Sequence, residues 1–158
     1  MVVITRTVTV NAAFLQEIKD DAQELRSLFR RLEVCLLIES PPRMSRRQLF
    51  SSLCELRDQL AMHFTLEEAY GYFDDAIDAA PWLSIKADEL RSEHNAFYND
   101  LCEIVDHAEQ LLHREVPARL LGQVVRRFGD FFEMFQKHES AENQLIQQAF
   151  NEDLGGWD

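Results

Sequence analysis

Five residues of this chain combine imidazole with carboxylate at helical spacing: His63 with Glu67, His138 with Glu142, and His94 between the two pairs. A histidine and a glutamate four residues apart project from one helix face, one turn apart. The histidine nitrogen can hold one ion while the carboxylate bridges to a second. Imidazole with carboxylate suits iron, manganese or zinc, and geometry and supply decide among them. One such pair is common on helices by chance, whereas two pairs with a third histidine are more specific. Other chemistry finds no support: the sequence has no GxSxG turn, no glycine-rich phosphate loop and no evident Cys–His pairing.

These residues need helices to bring them together. Glycine and proline number only 5 and 4, and they fall where helices would end. Asn11 is placed to cap a first helix running to about Ile38, before Ser40-Pro41-Pro42. Ser45 and Gln48 form a capping box for a second helix to about Ala79, and Pro81 lies in the next break. A third helix is expected over about 83–112, and Pro117 suits the first turn of a fourth that continues to about Asn151. The first ten residues alternate weakly, which predicts an extended arm over 1–10, and Gly155-Gly156 ends the order within a tail over 152–158. Four long helices with short links predict an all-α, up-down-up-down four-helix bundle over residues 11–151.

Each helix carries one apolar seam with steps of three and four residues. The first reads Phe14, Ile18, Asp21, Leu25, Leu28, Leu32, Cys35; the second reads Leu49, Leu53, Leu56, Leu60, His63, Glu67, Tyr70. The third passes through His94 and the fourth through His138 and Glu142. Asp21, His63, Glu67, His94, His138 and Glu142 therefore interrupt apolar seams on all four helices. An unpaired buried carboxylate costs several kcal/mol in lost hydration, so the six need a common partner. Counted from the shared loops, their heights differ by roughly 1.5 to 4.5 Å at about 1.5 Å per residue, less than one turn. One layer of three imidazoles and three carboxylates, with no cysteine, favours iron over structural zinc. Phe128, Phe131 and Phe135 are read as core that keeps water from one end of this layer.

At these positions the sequence resembles the hemerythrin-like (HHE cation-binding) family. The matching stretches are His63-Phe64-Thr65-Leu66-Glu67-Glu68, Ser92-Glu93-His94-Asn95-Ala96-Phe97 and His138-Glu139-Ser140-Ala141-Glu142. The resemblance spans about Asn11 to Asn151 and implies a four-helix bundle with a non-haem di-iron site, two iron ions per chain. Its implied ligands are small: dioxygen, nitric oxide or peroxide, or iron itself. Two positions depart from the pattern. Asp21 stands where the family usually has a first-helix histidine, and Tyr98 stands where oxygen carriers have a second histidine on the third helix. Asp21 can ligate as an oxygen donor, pair with a histidine or turn to solvent; Tyr98 can ligate, hydrogen-bond a ligand or pack. A donor set richer in carboxylate stabilises ferric iron, which favours redox chemistry, sensing or metal handling over reversible oxygen carriage.

Composition narrows the setting. The formal net charge of -12 disfavours nonspecific nucleic-acid binding. No apolar run approaches the roughly 20 residues of a membrane span, and Met1 to Val10 lacks the apolar stretch of a signal peptide. Cys35, Cys54 and Cys102 are widely spaced and odd in number, which predicts reduced thiols and a cytoplasmic protein. His107 and His113 lie beyond the layer and are read as solvated. Glu68, Glu93 and Glu139 fall beside the seams, as surface groups or as partners of ligands. Three readings stand: a sensor or binding protein, a di-iron oxidoreductase acting on peroxide or ferrous iron, and a structural bundle with an empty site. Neither enzymatic turnover nor a protein partner is specified by the sequence.

Overall fold

The computed structural model describes residues 19–38, 42–69 and 73–155, with side chains as far as Phe150. Helix α1 covers residues 19–33 and ends in a π-helical turn over Val34–Ile38. Helix α2 spans Arg46–Ala69, α3 Asp74–Ala79, α4 Ser84–Gln110 and α5 Leu120–Gly155. A 3₁₀ turn over Pro81–Leu83 leads into α4.

The start of α2 is the expected capping box. The Gln48 amide donates to Ser45 Oγ at 3.1 Å, and the Ser45 amide donates to Gln48 Oε1 at 2.9 Å, which satisfies two otherwise orphaned donors. The expected second helix does not run unbroken to Ala79. Phe73 stands in a turn before the separate helix α3, and its ring is buried rather than following the α2 seam. Pro117 lies before α5 rather than in its first turn: its carbonyl accepts from the Leu120 amide at 3.0 Å, a turn that starts the helix. Asn11, the seam residues Phe14, Ile18 and Tyr70, and the arm over 1–10 lie outside the described residues.

The order of buried residues along each helix gives the topology. One apolar cluster holds Leu25, Leu32, Leu53, Leu60, Leu101, Phe128 and Phe135 among others. A smaller one holds Phe73, Ala76, Ala80, Leu83, Ala87, Leu90, Leu145 and Ala149. Helix α5 runs from the large cluster to the small one and α4 runs the other way, while α2 runs from the large cluster to the buried His63 and Glu67, in the same direction as α5. In α1, Asp21 precedes Leu25 of the large cluster, so α1 opposes α2. The directions alternate along the chain, as an up-down-up-down bundle requires. Phe29 of α1 stacks on Phe135 and Phe132 of α5 at ring-centroid distances of 4.9 and 5.2 Å, which ties the first helix to the last. Among the described residues no helix is long and apolar enough to cross a membrane.

Phe128 is fully buried in the large cluster, more than two turns from His138. Phe128→Ala is expected to cost about 3–5 kcal/mol through lost burial and a cavity, without touching the polar layer. A lower denaturant midpoint with unchanged metal uptake is the outcome that checks this.

Candidate metal centre

Between the two apolar clusters lies a polar slice. His63, Glu67, His94, His138 and Glu142 are each at most 4% exposed and come from α2, α4 and α5. The i,i+4 spacing sets the first contacts. His63 Nε2 lies 2.8 Å from Glu67 Oε1 on α2, and His138 Nε2 lies 2.7 Å from Glu142 Oε1 on α5. His94 of α4 joins them: its Nε2 is 3.3 Å from Glu142 Oε1 and 3.5 Å from Glu67 Oε2. All three Nε2 atoms thus face the two buried carboxylates.

Each outward ring nitrogen meets a different carboxylate. His63 Nδ1 lies 3.0 Å from Asp21 Oδ2, His94 Nδ1 3.2 Å from Glu68 Oε1, and His138 Nδ1 2.6 Å from Glu93 Oε2. A carboxylate accepting from Nδ1–H fixes the ring orientation and leaves the Nε2 lone pair pointing inward, the arrangement found behind metal-ligating histidines. Aromatic packing holds the rings as well. Phe64 stacks on His94 with centroids 4.0 Å apart and planes 6° apart, and Phe97 meets His138 edge-on at 5.1 Å.

Asp21 therefore sits on the outer side of His63, away from the inward-facing cluster. Its second oxygen accepts from Gln59 Nε2 at 2.8 Å. Glu68 and Glu93 are partners of ligand candidates, whereas Glu139 pairs with Arg26 at 4.0 Å and holds no histidine. Tyr98 is exposed and hydrogen-bonded to Cys102, which raises its phenol above the ordinary value, so it takes no place in the layer. Sequence reasoning missed Gln59 and Phe64. Gln59 lies one turn before His63 and faces α1, a signal legible only once the pairing of α1 with α2 is known.

Without a cation, protons hold these charges together. Burial penalises the His63 imidazolium, but Glu67 and then Asp21 outweigh it and raise the ring from 6.5 to about 9. His138 is raised in the same way, against its burial, by Glu142 and Glu93. Burial pushes the Glu142 carboxyl up, yet the close approach of His138 and His94 prevails and holds it at about 2. Burial raises Glu67.

The proton network is incomplete. Among the described residues, Glu67 Oε2 and His138 Nε2 are buried with no hydrogen-bond partner. His138 Nε2 is close to Glu142 Oε1, but the two atoms are not aligned for a hydrogen bond. Once His138 is neutral, with its hydrogen on Nδ1 toward Glu93, its Nε2 and Glu142 Oε1 are two electron-pair donors side by side, which suits a cation placed between them. His94, His138 and Glu142 each offer a ligand atom, and these atoms all lie within 4.8 Å of one another. A cavity of about 510 Å³ opens onto His63, Glu67 and Glu142, with Lys19 and Arg26 in its wall.

The family model for the hemerythrin HHE cation-binding domain matches residues 13–150. The chain belongs to that family. No curated protein and no solved structure matches the chain. As a hemerythrin-family cation-binding domain with a buried His/His/Glu candidate site, the protein has donors that fit a divalent metal in number, type and orientation.

The histidine shifts set a pH dependence. His63 titrates at about 9 in the folded cation-free chain against an ordinary 6.5, so its contribution to stability is complete below about 6.5 and disappears as pH rises through 9. His138 acts in the same direction. The melting temperature of chelator-treated protein is therefore expected to fall from pH 6.5 to 9. A divalent cation, which needs neutral rings, is expected to stabilise the fold more as pH rises. Thermal unfolding across that range, with and without chelator, measures both slopes.

Proposed function

We propose that this protein is a non-haem iron bundle that holds two iron ions and binds or senses dioxygen, nitric oxide, peroxide or iron. The observation that carries the reading is the common orientation of the three histidines: Nε2 inward onto Glu67 and Glu142, Nδ1 outward onto Asp21, Glu68 and Glu93. In this reading His63, Glu67, His94, His138 and Glu142 hold the metal, and Asp21 acts through His63 as a positioning residue. Bound iron supplies redox chemistry and open coordination positions. Manganese and zinc are the competing metals.

The residues set the conditions for that chemistry. Burial in a dry slice strengthens every charge interaction there. The two carboxylates among the five donors add negative charge that favours the ferric state, which supports sensing or electron transfer over reversible oxygen carriage. The cavity supplies a path for a small ligand to reach His63 and Glu67. The three free cysteines fit a reducing compartment and so a cytoplasmic setting.

Metal analysis of protein purified without chelator, combined with its absorption spectrum, tests the reading. Stoichiometric iron and a spectrum altered by nitric oxide or hydrogen peroxide are expected. Absence of metal, with a melting temperature that ignores chelator, would leave only a structural bundle. Reversible spectral cycling with oxygen would instead restore oxygen carriage.

The cavity also favours a second reading, an oxidoreductase, because about 510 Å³ admits a reactant larger than a diatomic gas. That reading predicts turnover of peroxide or ferrous iron that His63→Ala abolishes while the helical circular-dichroism signal persists. Under either reading Glu93→Ala removes the carboxylate behind His138, and iron affinity should drop about 10- to 100-fold. A competition titration against a chromophoric chelator gives that ratio.

A further inference from the structure

We infer that the layer offers two cation positions of unequal strength, so that one ion is held tightly and the second exchanges. The inference rests on the metal-binding reading above and concerns how this chain's own donors are divided.

Glu67 divides the layer. Its Oε2 faces His94 Nε2 at 3.5 Å, and its Oε1 faces His63 Nε2 at 2.8 Å. On the Oε2 side stand two imidazoles and a second carboxylate. His94 Nε2 and His138 Nε2 converge on Glu142 Oε1 at 3.3 and 2.7 Å. That position has two nitrogen donors and one oxygen donor within reach of one ion, and Glu67 Oε2 borders it through His94. Among the described residues two buried atoms lack a hydrogen-bond partner: His138 Nε2 belongs to this position, and Glu67 Oε2 faces it.

The Oε1 side is poorer. It holds the single imidazole of His63 with Glu67 Oε1. Helix α1 adds Asp21, but one Asp21 oxygen is engaged by His63 Nδ1 and the other by Gln59 Nε2. Reaching the inner face would break both contacts. Among the described residues, the one group of three or more ligand atoms close enough to share an ion is His94, His138 and Glu142. The cavity reaches both carboxylates, Glu67 and Glu142, but of the three histidines only His63 lines it, so the poorer side is the more open to it. An ion there gains fewer protein bonds and meets solvent, so it leaves more easily.

The test is an anaerobic titration of chelator-stripped protein with ferrous iron, and in parallel with cobalt(II), read by calorimetry and by the cobalt ligand-field bands. Two steps separated by at least tenfold in Kd are expected. Passage over a chelating resin should then leave one ion per chain. His63→Gln is expected to remove the weaker step and keep the tighter one, and His138→Gln should abolish the tighter one. Circular dichroism confirms that each variant is folded, and the wild-type titration decides the matter if either variant is not. Two equal steps, two ions retained on the resin, or a tight step lost in folded His63→Gln would overturn the inequality and leave metal binding intact. Absence of any uptake would instead overturn the metal-binding reading itself.

Discussion

Two ionisable carboxylates and three imidazoles share one water-poor slice of this bundle, and the rest of the structure is arranged around neutralising them. Carboxylates buried at 4% exposure lose most of their hydration, and only opposite charge placed within bonding distance restores the balance. In the cation-free chain that charge is borrowed from protons on His63 and His138, whose affinity for protons is raised accordingly. The arrangement is imperfect, because among the described residues Glu67 Oε2 and His138 Nε2 are left without partners. A divalent ion supplies in one place the charge that protons supply piecemeal. The outer carboxylates, Asp21, Glu68 and Glu93, then act as acceptors that set the direction of each ring rather than as further charge to neutralise.

Much of this was legible in the sequence because the seams were interrupted. A histidine or glutamate at a position where leucine is expected is visible without coordinates, and His63, Glu67, His94, His138 and Glu142 all fall on seams that the structure buries. The bundle topology followed from short links and from the near-equal distances of these residues to the loops. The Ser45 and Gln48 box was readable because both capping bonds are local.

What stayed hidden depends on contacts between helices. Asp21 lies on a seam, yet seam position fixes only the face of a helix, and the reach of a short side chain stops it at Nδ1 of His63. Glu68 and Glu93 lie one residue off their seams, where a longer side chain can fold back onto a neighbouring helix. Sequence spacing could not separate them from Glu139, which turns to Arg26 instead. The break before α3 was missed although Gly71 stands inside the expected second helix; the buried Phe73 ring shares the small cluster with Ala76 and Leu83.

The polar slice also leaves the bundle with two unlike halves. Among the described residues, the half beyond Phe135 is built mainly from leucine and stacked phenylalanine rings, whereas four of the eight buried apolar residues in the half holding α3 are alanines: Ala76, Ala80, Ala87 and Ala149. Alanine brings little apolar area to a contact, so each alanine contact there contributes less than a leucine or phenylalanine contact at the other end. The polar slice is therefore clamped more firmly from the leucine and phenylalanine side than from the side of α3.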